Sequence, residues 1–577
     1  MEKEILEKAL AWVQNSSIDT ESRQEIDKLI QENKEDELVS RFYKTLEFGT
    51  AGMRGKLGAG LNRFNVPLVR QASQGLANYI HSQTNKDTPP SIAIAHDNRL
   101  FSDVFTREAA CVFAGNGIKT YLFPSLHTTP VLSFAVRTLR TTAGVVITAS
   151  HNPPEYNGYK VYWSDGAQIT HPHDEGIMQC IQTINDHSRI KQMPYQEALG
   201  KEWIDIIFET LDQKYYSLVE QICIGNPEKN RDLGLVYTPL HGTGIVPVRE
   251  IFRRRHFDQF STVKEQEEPD GHFPTVSSPN PENPSALALA QQTAASTDSL
   301  ILATDPDSDR IGAMVRHQGA WIALNGNQIG ELLLNYYLNT MQKMNQLPKD
   351  GYVVSTIVTS ELVRKMTESY GLIYHETLTG FKNIAQIIRE QEIKQNGTFF
   401  FGMEEAHGYM FSDFVRDKDG ISASVIFAEM AAELKHQGKT PLDYLDEIHQ
   451  IYGFHEDSQI NHVLEGQAGA QQIQKIMEQL RKAPPQSIGN HDVKILKDYQ
   501  TNKVINSQNG KVIGKMGLGN SNVLAFDMED GSRITARPSG TEPKIKFYFN
   551  LCGSSKTALI EARQHYEQSF MEIIHQL

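Results

Sequence analysis

Asp305, Asp307 and Asp309 alternate with Pro306 and Ser308 in the segment TDPDSDR (304–310), directly after the apolar run Ser299 to Ala303. Carboxylates at i, i+2 and i+4 on an extended or turning backbone converge on one hard cation. Three such charges repel one another without a counter-ion, so the spacing predicts a metal site. Three oxygens leave coordination positions open, which suits Mg²⁺ sharing a phosphate oxygen. An EF-hand is excluded, because its sixth position is Arg310 rather than Gly and its twelfth is Arg316 rather than Glu. The competing reading is an acidic turn of capping aspartates, although the exit of a buried strand is a poor place for idle charge.

Four further segments carry chemistry. In TASHNPPEYNGYK (148–160), Ser150 ends an apolar strand beside small Ala149, so its hydroxyl can be exposed at the strand tip, although a serine there is on its own more often a turn residue. No G-x-S-x-G elbow surrounds it. His151 on extended backbone points to the opposite side, which argues against a hydrolase-type Ser–His pair inside the motif. Lys160 lies ten residues on, beyond Asn157-Gly158, where a return toward the serine would make it a cationic acid, although a lysine there is on its own usually a surface residue. ARPSGTEPK (536–544) combines Ser539, Gly540 and Thr541 with Arg537 and Lys544, the composition of a phosphate nest and equally of a plain turn. In GMEEAHGYM (402–410) the pair Glu404 and Glu405 has the chemistry to accept hydrogen bonds from sugar hydroxyls and equally that of solvated surface acids, and RDKDG (416–420) places Lys418 among acids, the usual setting of an ion-paired surface lysine. The Gly-rich EFGTAGMRGKLGAG (47–60) bears Arg54 but has neither the Walker order nor the G-x-G-x-x-G spacing, so nucleotide binding is not indicated.

These loops need a frame. Short strands at Gly144–147, Ser299–303 and Thr398–401 alternate with helical segments at 106–116, 328–341 and 421–436. That alternation predicts three α/β domains with mixed sheets, with ligands at the carboxyl ends of strands. Past Glu456 a helix over 467–482, strands over 522–527 and 545–549 and a terminal helix predict a smaller α+β domain. Candidate linkers are 225–232, 346–351 and 452–457, which sets expected domains at 1–228, 229–347, 348–455 and 456–577.

The chain has 577 residues, 39% hydrophobic and 22% charged, which is globular and not disordered. Fifty-six basic against 70 acidic side chains leave −14, a balance that disfavours nucleic acid and anionic membranes. Cys111, Cys180, Cys223 and Cys552 form no C-x-x-C pair, so neither a Cys-rich zinc site nor a disulfide framework is expected. The acidic opening MEKEILEKALAWVQNSS does not read as a secretory leader, and no run approaches the roughly 20 apolar residues of a bilayer span. The expectation is a soluble cytoplasmic protein.

Taken in order, the GTAGMRG, T-A-S-H-N-P, D-P-D-x-D-R, E-E and R-P-S-G-T-E-P segments resemble the α-D-phosphohexomutase superfamily over nearly the whole chain. TPLHGTG (238–244) and TLTGFKN (377–383) are most similar to its longer bacterial phosphoglucomutases and the phosphoglucomutase-2/phosphopentomutase group. The resemblance implies three α/β domains plus a C-terminal TATA-binding-protein-like domain around a central cleft. It implies that Ser150 is phosphorylated, that Asp305, Asp307 and Asp309 hold Mg²⁺ with a phosphoserine oxygen, and that Arg310 supports that loop. Arg54, Lys160, Lys418 and His151 become catalytic candidates, with Lys160 or Lys418 carrying the proton. Glu404, Thr379 and Gly380 would bind the sugar; Arg537, Ser539, Gly540, Thr541 and Lys544 would grip the phosphate that stays put.

The implied activity is a phosphosugar mutase interconverting glucose 1- and 6-phosphates through a bisphosphate, with a sugar 1,6-bisphosphate as activator. Its partners would be small sugar phosphates, and its state monomer or homodimer. Ala406 stands where many hexose mutases have serine, which keeps a phosphopentomutase acting on ribose or deoxyribose phosphates as the alternative, and a sugar 1,6-bisphosphate synthase as a third reading.

Overall fold

Each chemistry-bearing loop leaves a strand whose neighbours fix its direction. A computed structural model describes every residue except 1–2, 50–51, 85–88, 185, 208, 229–230, 465 and 540–543, and the side chains of 466–468. The chain divides into two compact units. The first comprises residues 1–324, 388–394 and 408–438, and the second residues 325–387, 395–407 and 439–577.

The first unit holds two mixed sheets. One has the strand order Gly52–Lys56, Tyr156–Trp163, Ala143–Ile147, Ser91–His96, Lys119–Leu122, Ile204–Ile206. Its interior strands are parallel, whereas Tyr156–Trp163 runs antiparallel to both of its neighbours. Ala143–Ile147 is buried at every position, as expected of a strand covered on both faces. The second sheet runs Ala320–Ala323, Ile311–His317, Asp298–Thr304, Gly234–Thr238, Phe260–Thr262. Asp298–Thr304 and Ile311–His317 form a hairpin in which Thr304 faces Ile311, so residues 305–310 are its loop. Three short helices (Lys3–Gln14, Thr20–Gln31, Glu35–Phe42) precede these sheets around a small core of Ile5, Trp12, Ile26, Leu38 and Phe42.

Helix Gly420–His436 also belongs to the first unit. Its sequence is apolar almost all round, and it is buried over most of its length. Asp419 caps it, accepting from the N–H groups of Ile421 and Ser422. Inside it, Glu429 takes Arg231 and Arg255 on one carboxylate oxygen, each with a contact of 2.9 Å, and the Gly225 N–H on the other. Glu429→Ala leaves two largely buried guanidiniums without their carboxylate, a loss of about 3–5 kcal/mol. A fall in the thermal unfolding midpoint relative to the wild type is the expected readout.

In the second unit, parallel strands Ile373–Thr377, Gly351–Thr356 and Thr398–Glu404 lie side by side. A C-terminal antiparallel sheet follows, with order Phe454–Val463, Lys544–Gly553, Arg533–Pro538, Leu524–Met528, His491–Asp498, Lys503–Asn506, Val512–Gly514. Helices Gly466–Lys482 and Lys556–His575 accompany it. Three α/β layers and a final α+β layer are therefore present as expected. Within the segment 452–457 the connection is a single residue: helix Pro441–Tyr452 passes into strand Phe454–Val463 through Gly453 alone, whose φ of 99° suits only glycine. Among the described residues, no helix is long and apolar enough to cross a membrane.

Candidate active site

Strand Ala143–Ile147 ends in Thr148, Ala149 and Ser150. The chain then turns, closed by the Asn152 N–H on the Ala149 carbonyl, and Ser150 takes the left-handed conformation with φ 51°. Ser150 Oγ donates to Asp305 Oδ2 at 2.6 Å and lies 3.1 Å from His151 Nδ1. Two sequence expectations fail here for one reason. His151 does not point away from the serine, because a left-handed residue breaks the side-to-side alternation of extended backbone. The serine is buried rather than exposed, since the turn folds it under Asp305 and His151. Burial, with Arg310 and Arg54 nearby, pushes the His151 imidazole well below its ordinary range and keeps it neutral. Its carbonyl accepts from Ser278 Oγ at 2.7 Å.

Residues 305–309 of the aspartate loop are buried, and the ligand oxygens of Asp305, Asp307 and Asp309 lie within 4.8 Å of one another. Asp305 Oδ1 accepts the N–H groups of Asp309 and Arg310, so this residue does cap the turn while its other oxygen meets the serine. Asp307 Oδ2 accepts from Thr129 Oγ1 at 2.7 Å and Lys160 Nζ at 2.6 Å. Asp309 Oδ2 receives Lys160 at 3.2 Å and Lys418 at 3.3 Å. The Oδ1 atoms of Asp307 and Asp309 are buried without a hydrogen-bond donor. Orphaned carboxylate oxygens in an all-oxygen cluster fit a hard divalent cation.

Electrostatics tie the cluster together. Burial and the two neighbouring carboxylates push Asp305 well above the usual carboxylate range. Burial pushes Asp309 the same way, but Lys160, Lys418 and Arg310 outweigh it and hold that carboxyl below its ordinary value. For Lys160, burial is outweighed by Asp307 and Asp309, and the ammonium form is favoured. Lys418 is not a surface lysine: it is buried against Asp417 Oδ1 at 3.1 Å, and Asp417 is itself held by Tyr162 and Gln168. Arg54 Nη1 donates to Asn152 Oδ1 at 2.6 Å from strand Gly52–Lys56, whose partner opposite Arg54 is Gly158. A Cβ at Gly158 would strike the Thr148 and Met53 carbonyls, so only glycine lets the strands close here. Arg310 pairs with Glu282 at 2.5 Å.

The second unit gathers the remaining candidates. Glu404 ends its strand buried, while Glu405 accepts from Thr356 Oγ1 at 3.1 Å. Burial and then Glu405 push the Tyr548 phenol up, and Arg537 Nη1 reaches the same hydroxyl at 3.3 Å. The glutamate pair and the arginine strand thus meet across Tyr548. Ser539 N–H on the Lys544 carbonyl closes the neighbouring hairpin; Gly540 and Thr541 lie outside the described residues. Thr379 and Gly380, the latter with φ 107°, lead into helix Phe381–Lys394, and Asn383 Nδ2 holds the Thr379 carbonyl.

Four family models match in order: phosphoglucomutase/phosphomannomutase α/β/α domain I over 45–188, domain II over 213–319, domain III over 325–452, and the C-terminal domain over 470–563. A phosphoglucomutase of Staphylococcus aureus (strain N315) is 40% identical over 535 residues, covering 90% of this chain and 94% of its own. The chain belongs to the phosphoglucomutase/phosphomannomutase family. It is a phosphohexomutase, an intramolecular phosphotransferase. Its fold matches a phosphoglucomutase/phosphomannomutase family protein of Burkholderia thailandensis, with TM-score 0.65 at 17% identity over 90% of this chain and 96% of the other. Parafusin of Paramecium, in its open form, matches equally, with TM-score 0.65 at 18% identity over 92% and 95%.

The phosphohexomutase also uses residues that sequence reasoning passed over. Thr129, at the start of helix Thr129–Leu139, binds Asp307 through both its hydroxyl and its N–H. Asp97 and Arg99 follow strand Ser91–His96 and grip the serine loop. Both stand where a strand runs into a polar segment, the signal that identified the other loops.

Proposed function

We propose that this phosphohexomutase moves a phosphoryl group between the 1- and 6-positions of glucose phosphate, through a phosphorylated Ser150 and a glucose 1,6-bisphosphate intermediate. The observation that carries the reading is the 2.6 Å hydrogen bond from Ser150 Oγ to Asp305, which sets the nucleophile on the edge of the carboxylate cluster. Asp305, Asp307 and Asp309 would hold Mg²⁺, which when bound neutralises charge on the transferring phosphoryl group.

The chain's own residues supply the rest. Phosphorylated Ser150 gives its phosphoryl group to the free hydroxyl of a sugar monophosphate; the P–O bond to serine breaks as that to the sugar forms. The proton lost by the sugar hydroxyl restores the serine hydroxyl, and neutral His151, 3.1 Å from Oγ, is placed to carry it at the serine end. Lys160, held cationic by two aspartates, serves as a fixed positive charge rather than a base. Lys418 adds positive charge beside it on Asp309, and Arg54 near His151. Glu404 with Thr379-Gly380 would bind sugar hydroxyls, and Arg537, Ser539, Gly540, Thr541 and Lys544 the phosphate that is not transferred. Returning the intermediate's other phosphate to Ser150 completes the cycle, and added bisphosphate would prime unphosphorylated enzyme.

That a 40% identical Staphylococcus relative is named a phosphoglucomutase supports glucose phosphate as the substrate. Ala406 favours a second reading, a pentose phosphate. Comparing kcat/KM for glucose 1-phosphate and ribose 1-phosphate in coupled assays decides between them, and turnover of neither refutes both. Ala406→Ser should move the glucose-to-ribose ratio toward glucose by about 3–10-fold, one hydroxyl hydrogen bond being worth roughly 0.5–1.5 kcal/mol. An unchanged ratio would remove Ala406 from the specificity argument.

A further inference from the structure

Ser150 is held in a backbone conformation that L-residues seldom adopt, so something must hold it there. Four carbonyls of its loop converge on one buried guanidinium. Arg99 Nη1 donates to the Pro153 and Tyr156 carbonyls at 2.9 Å each, and Nη2 to those of Ser150, at 2.5 Å, and Asn152. Arg99 Nε faces Asp97 Oδ2 at 3.4 Å, both side chains are fully buried, and the Phe273 ring lies 5.0 Å from the guanidinium carbon.

Asp97 reaches the same serine from its other end. Its Oδ2 accepts from Thr148 Oγ1 at 2.6 Å, and Thr148 Oγ1 in turn accepts the Ser150 N–H at 2.8 Å. One ion pair therefore grips the serine's carbonyl through Arg99 and its amide through Thr148. With both peptide groups fixed, the left-handed turn is over-determined and Oγ is aimed at Asp305 and His151.

We infer that Arg99, clamped by Asp97, is the positioning residue of the phosphoserine loop, setting the direction of Ser150 Oγ for phosphoryl transfer without touching the sugar. No other side chain replaces it. A lysine ammonium offers three donors on a point charge, against five in the planar fork needed to serve four carbonyls. A displacement of about 1 Å at a reacting atom costs on the order of 10²-fold in rate.

The inference rests on Ser150 being the phosphorylated residue, and the test separates the two. Arg99→Lys keeps the charge opposite Asp97. It should lower kcat about 10²-fold with KM within about threefold of wild type, and slow phosphorylation of Ser150 by glucose 1,6-bisphosphate to the same degree. Arg99→Ala should regain activity at least tenfold when guanidinium is added at concentrations that leave the wild type unaffected. Loading and turnover of Arg99→Lys at the wild-type rate would overturn the inference while leaving the phosphoserine reading intact. So would activity losses that simply follow the folded fraction, with no guanidinium rescue. Failure of the wild type to load Ser150 would instead overturn the reading beneath it.

Discussion

Ser150→Ala should abolish mutase turnover, with kcat/KM falling by roughly four to six orders of magnitude. Its Oγ is the hydroxyl lying between Asp305 and neutral His151. The protein itself should remain folded. Removing Oγ takes one donor from Asp305, whose second oxygen keeps two backbone N–H groups, at a cost of about 1 kcal/mol. Circular dichroism and the thermal midpoint should therefore match the wild type while coupled-assay turnover vanishes. Retained turnover would move the covalent step to another residue.

Asp307→Asn should cost about 10²–10³-fold in kcat and most of the affinity for Mg²⁺. At Asp307, Oδ2 already carries Thr129 and Lys160 while Oδ1 is buried and without a donor. An amide keeps the shape and loses the charge, so the comparison reads electrostatics rather than packing. Divalent cation binding to the native state raises its stability by mass action. Thermal unfolding with increasing MgCl₂ should accordingly shift the wild-type midpoint upward and leave the variant nearly unmoved. Equal shifts in both would place the cation elsewhere.

Much of this arrangement is legible in the chain itself. The strand at 144–147 is observed as Ala143–Ile147, that at 299–303 as Asp298–Thr304, and the helix at 421–436 as Gly420–His436. These segments are read correctly because their apolar runs are long and their ends are marked by capping or acidic residues. The aspartate loop is legible for a related reason, since few environments tolerate three carboxylates at that spacing.

What sequence could not give is direction. Nothing in T-A-S-H-N-P announces a left-handed serine, because αL is rare for any L-residue and is held here by Arg99 directly and by Asp97 through Thr148, both some fifty residues earlier. The orientation of His151 follows from that one dihedral. Lys418 reads as a surface charge because its burial depends on Asp417, Tyr162 and Gln168, which only the folded first unit brings together. Gly453 looks like part of a linker since a one-residue turn between helix and strand leaves no compositional trace.

One serine is the depot through which phosphate passes on this reading. Incubating the purified enzyme with Mg²⁺ and glucose 1,6-bisphosphate, then mapping phosphate by peptide mass spectrometry, tests it most directly. The expected result is phosphate on Ser150, discharged again when excess glucose 6-phosphate is added. Phosphate on a different residue, or none on an enzyme that nonetheless turns over, would contradict the account.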